Sequence, residues 1–435
     1  MRRIFLTPLV LAVAMCTAAA SDTPGRQAGL EQLARLPSQH GGRIKPLATA
    51  AAEIASHEGH SFGRLFAQGR RSAAVAALLS LSTCDEAPRH RVFLRVRLFP
   101  TPGEWLSADD AATAHECCDD ARAFAGLATR TLAAWNSSDA AAFNTAADEL
   151  AIFLEKLHRL HDLSTARLSA ELALDSYRPF LISGLIYILT WVPLVVLVTK
   201  GTRGSSTRIA GPVAGGAFGA NLAALALYTW VAGRLPLNNT YEGMLTLAGF
   251  LGLFAVGAAF SRRFFAVTGM AGLLAGLVLL AAELTPVRST ITPPVPALQS
   301  LWLQVHVLTC FVAYAAFAIT FAAALVVLGS GREGVRVRFD GISVRAALFG
   351  FIFLSIGILT GAAWARQAWG RYWAFDPKET WALVTWLVYA AYLHLALVKG
   401  RRRLLRAVAA IVGFLAVIFT FIGVNYLLPG LHSYA

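Results

Sequence analysis

"WGRYWAFDPKETWALVTWLVYAAYLHLALVKGRRR", residues 369–403, joins the three features that decide the fold: an aromatic, charged turn, an apolar run and a basic cluster. An uncharged stretch of about 20 residues can cross a hydrocarbon core as a helix. Lysine and arginine collect in the cytoplasmic loops that end such helices. The stretch therefore reads as a membrane helix entered at an outer interface through Asp376-Pro377-Lys378-Glu379 and leaving toward the cytoplasm.

The pattern recurs. Apolar runs lie near 178–199, 209–233, 243–260, 264–282, 303–328, 346–364, 380–398 and 406–428, which predicts eight membrane helices and an all-α polytopic protein. The connections "KGTRGSSTR", "SRR", "GREGVRVRFDGISVR" and "KGRRRLLR" are basic and are expected on the cytoplasmic side. By alternation "GRLPLNNTYEG", "ELTPVRSTITPPVPALQS", the Trp-rich loop 364–381 and the C-terminal "GLHSYA" face outward. The chain is 56% apolar and only 14% charged, against about 25% charged in a soluble domain. Its net charge of +13 is carried largely by these short loops and the N-terminal region, so it reads as a topology signal and not as a nucleic-acid surface. No GxxxxGK[ST] loop is present, which argues against ATP hydrolysis by this chain.

Ahead of the first run, "MRRIFLTPLVLAVAMCTAAASDT" has the charge, apolar core and small residues of a signal peptide or N-terminal anchor over residues 1–20. Residues 21–177 then read as an extracytoplasmic, mainly helical soluble domain, with helical apolar spacing clearest in "AAAFNTAADELAIFLEKLHRL", residues 140–160. The five cysteines, Cys16, Cys84, Cys117, Cys118 and Cys310, form neither CxxC nor CxxCH. That argues against a zinc ribbon and against haem bound covalently to this chain. Cys84 is open either to pairing with Cys117 or Cys118 outside the cytoplasm or to remaining a free thiol.

Two readings compete for the turn. Trp and Tyr belong at membrane interfaces, and Asp376, Pro377 and Glu379 compose a capped helix start that needs no chemistry. Yet Trp364, Trp369, Tyr372, Trp373, Phe375, Trp381 and Trp386 fall within 23 residues, more rings than a belt uses. A flat ligand stacked on them accounts for the excess.

Three histidines lie in or at the ends of the membrane runs. His306 opens the fifth helix with Trp302 one turn before it, and His432 follows the eighth, both at the level of the turn. Two imidazoles flanking an aromatic shelf are what bis-axial haem ligation requires. His394 lies about 14 residues into the seventh helix, roughly 21 Å along its axis. Trp386 and Ala390 precede it at one-turn spacing. An ionisable residue at that depth is a functional candidate, or else a histidine satisfied by a neighbouring helix. "HEGH" (His57, His60) and "HRLH" (His158, His161) lack a third metal ligand and read as surface histidines.

Residues 369–394 resemble the WWD signature of the CcsA/ResC cytochrome c biogenesis proteins, of the haem-handling superfamily. "RLPLNNTYEG", "LQSLWLQVHVLTCFVAYAAFA" and "FTFIGVNYLLPGLHSYA" match the family in the same order, so the resemblance covers residues 178–435. It implies a bacterial inner-membrane protein that binds haem b at the outer face and presents it to the CxxCH cysteines of apocytochrome c, as a component of a holocytochrome c synthase. The implied axial ligands are His306 and His432 outside and His394 within the membrane, with the aromatic turn around Asp376 as the haem platform. Phe375 stands where the family commonly has tryptophan, which keeps a stacking face and drops an indole N–H. A ResB/CcsB-like membrane partner and a thiol-reducing system are implied as well. Arg366, Arg371 and Lys378 are close enough in sequence to offer charge to haem propionates. The alternatives are a haem carrier serving a separate synthase, a b-haem electron-transfer subunit, and a receptor whose helices serve as an anchor.

Overall fold

The structure is a computed structural model, and it describes residues 24–40, 43–57, 75–76, 78–79, 96–100, 105–113, 119–137, 139–160, 165–199, 206–260, 265–284, 291, 293–294, 296–398 and 402–431. The signal segment, Cys16, Cys84, Cys117, Cys118 and His432 lie outside these residues, as do the side chains of the HEGH and HRLH pairs. The chain divides into two compact units, Met1–Arg178 with Thr290–Pro293, and Pro179–Ser289 with Pro294–Ala435.

In the first unit six helices are described: α1 (Gln27–Arg35), α2 (Leu47–His57), α3 (Ala108–Thr113), α4 (Asp119–Asn136), α5 (Ala140–Leu160) and α6 (Thr165–Tyr177). The expected helix over residues 140–160 is α5. Leu33, Phe124, Phe143, Leu150 and Leu154 are among the residues of this unit's buried core.

A small antiparallel sheet accompanies these helices, which the apolar periodicity did not announce. Its strands are β1 (Pro37–His40), β2 (Arg43–Pro46), β3 (Arg97–Pro100) and β4 (Trp105–Ser107), in the order β2-β1-β3-β4. The reason is visible in the first hairpin, where buried positions are polar. Ser38 Oγ donates to Lys45 O at 3.0 Å, and the buried Lys45 ammonium meets both Glu53 oxygens at 2.8 and 2.7 Å. A strand that buries a paired lysine lacks the apolar alternation that marks strands in a sequence.

The second unit is a helix bundle: α7 (Pro179–Thr199), α8 (Ser206–Ala232), α9 (Thr240–Ala259), α10 (Phe265–Leu284), α11 (Leu301–Gly329), α12 (Glu333–Trp369), α13 (Pro377–Leu397) and α14 (Arg403–Ile418). The last continues through a π-helical turn, Phe419–Gly423, into Val424–Leu427. Among the described residues seven helices are long and apolar enough to cross a membrane, and an eighth span is counted when the bent pair Ala166–Tyr177 and Pro179–Val192 is taken as one. The eight apolar runs expected from the sequence overlap α7–α14 in order, with seven to eight of them counted as candidate spans.

One boundary differs. The basic stretch 331–345 was expected as a loop, yet α12 begins at Glu333 and runs for 37 residues. Phe339 and Ile342 are buried on it, and Asp340 accepts from Arg406 Nε of α14 at 3.0 Å. Packing and pairing hold the charged segment helical.

The helices α11 and α12 approach closely through glycines on α12. A methyl group at Gly350, Gly357 or Gly361 would lie 2.7 Å from Phe317, 2.7 Å from Cys310 Sγ and 2.6 Å from His306 Nδ1 respectively. Small residues let membrane helices meet backbone to side chain, and here they bring α12 against the face that carries His306.

Candidate functional site

His306 lies on the second turn of α11, facing the glycine row of α12. Its Nδ1 is 2.7 Å from the Gly357 carbonyl oxygen. A carbonyl only accepts, so the ring proton sits on Nδ1 and the lone pair on Nε2. Cys310, one turn on, places Sγ 3.7 Å from the same Nδ1. The Trp364 ring runs parallel to the imidazole, 10° between planes and 6.3 Å between centroids. Trp364 is buried and donates Nε1 to Ala297 O at 2.9 Å, while Trp369 sets an edge against it at 4.7 Å. The aromatic neighbour expected from spacing was Trp302, but that side chain is 49% exposed. The crossing of α11 and α12 supplies the ring instead.

His306, Cys310 and Trp364, though not Trp369 or Trp302, border a cavity with about 1130 Å³ of non-protein space, part of it open to solvent. His306, Cys310 and Tyr314 come from α11, Trp364 from α12, and Tyr372 and Trp373 from the turn. Thr240 of α9, Lys378 and Glu379 of α13 and Asn425 beyond α14 are among its polar wall residues.

The turn is built by local chemistry. Gly370 adopts φ 78° and closes α12 in the left-handed conformation that glycine favours. Asp376 caps α13, its Oδ2 accepting from Lys378 N at 3.1 Å. Glu379 Oε2 reaches back to Ala374 N at 2.8 Å and Asp376 N at 3.2 Å, completing the predicted capping box. Asp376 Oδ1 takes a further contact, from Leu431 N at 2.5 Å, one residue before His432. Phe375 sits at φ 55° and is 79% exposed, with Trp373 6.2 Å away at 86°. Positive φ is uncommon for a large side chain, and the capping box on one side and Trp373 on the other hold it there.

Other sequence candidates stand elsewhere. Trp381 packs on Phe419 at 4.3 Å, and Trp386 donates Nε1 to Ser355 at 2.8 Å beside Phe351, so both rings tie α13 to its neighbours without bordering the cavity. Arg366 and Arg371 are exposed, and Arg366 bonds the Gly370 carbonyl. His394 is exposed on α13 and is not part of the cavity wall.

Several residues of the cavity wall were not singled out from sequence, among them Thr240, Cys310, Tyr314 and Asn425. These four fall inside the stretches that carried the family resemblance, which was the available signal. Asn425 Nδ2 donates to Thr240 Oγ1 at 3.0 Å, and its Oδ1 accepts from Lys378 Nζ at 2.7 Å. Thr240 is held in turn by the loop before α9. The fully buried Glu242 accepts from Arg234 Nη1 and Nη2 at 2.7 and 2.8 Å, from Tyr228 at 3.0 Å and from Asn238 N at 2.7 Å.

A family model described as cytochrome c assembly protein matches residues 237–432, which encloses the whole site. CcsA, a cytochrome c biogenesis protein of Chlamydomonas reinhardtii, is 39% identical over 49% of this chain and 65% of its own length. The CcsA proteins of Parasynechococcus marenigrum (strain WH8102) and Synechococcus sp. (strain CC9605) are 36% and 34% identical over 48% and 58% of this chain and 81% and 94% of theirs. Among solved structures, the cytochrome c haem lyase CcmF aligns at TM-score 0.40 and 19% identity over 56% of this chain and 45% of that one. On the sequence matches, the chain belongs to the cytochrome c assembly protein family, within which it is similar to the CcsA cytochrome c biogenesis proteins.

Proposed function

We propose that this protein acts in cytochrome c biogenesis by binding haem b as a substrate in the cavity beside His306 and presenting it to CxxCH cysteines of apocytochrome c. One observation carries the reading: an imidazole with Nδ1–H committed to a backbone carbonyl, parallel to a buried tryptophan, in the wall of an aromatic cavity. Ligating histidines are commonly oriented by such a bond through the other nitrogen, which raises their basicity.

The chemistry asks little of the protein beyond placement. A cysteine S–H adds across a haem vinyl group: the S–C bond forms, the vinyl π bond breaks and the thiol proton ends on the other vinyl carbon. No electron leaves or enters. Holding the iron on His306 and, from the outer end of the last helix, His432 leaves orientation as the main contribution to rate. Trp364, Tyr372 and Trp373 supply apolar ring faces for the macrocycle. The topology expected from loop charge puts the turn and the C-terminus outside the cytoplasm, where apocytochrome is matured. His394, exposed on α13, would serve a haem at the level of the membrane together with a ResB/CcsB-like partner. A thiol-reducing system keeps the incoming cysteines reduced. A carrier that passes haem to a separate synthase would use the same site, and thioether formation on a co-expressed CxxCH substrate separates the two.

The deciding experiment is a visible spectrum with pyridine haemochrome quantification of the purified protein from haem-replete cells, wild type against His306→Ala/His432→Ala. A six-coordinate b-type spectrum in wild type, lost or altered in the variant, is expected. No haem in wild type, even with the partner co-expressed, would overturn the reading.

A further inference from the structure

Of the three cations near the turn, Arg366 and Arg371 are exposed, whereas Lys378 is half-buried on the first turn of α13 and borders the cavity. Among the described residues its ammonium has one hydrogen-bond acceptor, Asn425 Oδ1 at 2.7 Å, while the Asp376 carboxylate acts on it through space. Among the described residues it forms no ion pair within 4.0 Å. The two nearest carboxylates in sequence are engaged in bonds to main-chain N–H groups. Asp376 accepts from Lys378 N and Leu431 N, and Glu379 from Ala374 N and Asp376 N.

An ammonium can donate three hydrogen bonds. One at the wall of a mainly apolar cavity in a membrane protein, with one hydrogen-bond acceptor and a carboxylate that is only near it, is costly unless a further anion completes it. The neighbourhood is arranged to hold that lysine still. Asn425 is fixed by giving Nδ2 to Thr240 Oγ1 at 3.0 Å, so its carbonyl oxygen is turned to the lysine. Two elements far apart in sequence, the start of α9 and the end of the last helix, are thereby committed to aiming one cation.

We infer that Lys378, oriented by Asn425 and Thr240, is a carboxylate subsite of the cavity that receives a propionate of the bound macrocycle. This rests on the haem reading above and adds to it a direction. On protoporphyrin the propionates and the vinyl groups occupy opposite edges. A propionate at Lys378 therefore turns the vinyl edge away from α13, leaving it for the incoming thiols.

The test uses the full chain in detergent, titrated with iron protoporphyrin IX and with its dimethyl ester, each followed by its Soret band. The ester keeps the iron, rings and vinyl groups and removes only the propionate charge. Wild type should bind the diacid about tenfold or more tightly than the ester, the worth of a hydrogen bond to a charged group. Lys378→Met should bind both alike, and Lys378→Arg should restore part of the preference. Ligation by His306 and His432 together should leave the spectra six-coordinate throughout. Equal affinity of wild type for acid and ester overturns the subsite and leaves the haem reading standing, with no variant needed. A full preference retained in Lys378→Met also overturns it, since another group would then hold the propionate. Binding of neither compound by wild type overturns the haem reading itself.

Discussion

Asp376 Oδ1 accepts the main-chain N–H of Leu431 at 2.5 Å, so the residue that starts α13 also holds the chain just ahead of His432. The same carboxylate caps α13 through Lys378 N. One buried side chain thus couples the aromatic turn to the C-terminal end of the last helix, and the capping role legible in the sequence is half of what it does.

Replacing Asp376 separates those tasks. Asp376→Asn keeps an accepting oxygen and should stay near wild type. Asp376→Ala loses the cap and leaves two N–H groups unsatisfied, for about 1–3 kcal/mol of destabilisation. Hydrogen exchange at the Leu431 amide is the direct measurement: its protection should fall in the alanine variant and persist in the asparagine one.

Gly361 and Gly357 set how near α12 comes to His306. Alanine in a helix interior is ordinarily favoured over glycine by roughly 0.5–1 kcal/mol. At Gly361 the added methyl would lie 2.6 Å from His306 Nδ1, and such overpacking costs about 1–3 kcal/mol. Gly361→Ala should lower the haem-to-protein absorbance ratio by tilting the imidazole. An unchanged ratio would show that α12 does not position His306.

Trp364 contributes a ring and a hydrogen bond that substitutions can divide. Trp364→Phe removes the bond to Ala297 O and should cost about 1 kcal/mol in thermal unfolding. Trp364→Ala also empties a buried site, for about 3–5 kcal/mol. If the ring orders haem beside His306, the Soret band should shift in the alanine variant and hold its position in the phenylalanine one.

The Arg234–Glu242 pair braces the loop that carries Asn238, Asn239 and Thr240. Glu242→Gln leaves a largely buried guanidinium without its counter-charge, with a loss of about 3–5 kcal/mol. The double variant Arg234→Gln/Glu242→Gln should recover part of it. A double-mutant cycle by denaturation measures the coupling, and strict additivity would show that the pair acts independently.

The membrane half of the fold was open to sequence reading because each span is an uninterrupted apolar run closed by charge, a local property of the chain. The polar strands of the first unit were not, since Lys45 and Ser38 are buried by partners, Glu53 and a main-chain carbonyl, that no periodicity announces. The site divides in the same way. His306, the rings of the turn and Lys378 stood out by residue type, but the neighbour of His306 proved to be Trp364 and not Trp302. Asn425 and Thr240 look ordinary in the chain, and matter because they meet across 185 residues.

By itself, then, the sequence determined eight apolar segments, the alternation of charge between them and the capped aromatic turn, because helix propagation, lipid burial and capping act over a few residues. Which rings face the imidazole, which cation borders the cavity and which carboxylate ties the turn to the last helix were decided only by tertiary structure. Those relations depend on how closely α11 and α12 meet at Gly357 and Gly361, and a helix crossing is a property of two surfaces together.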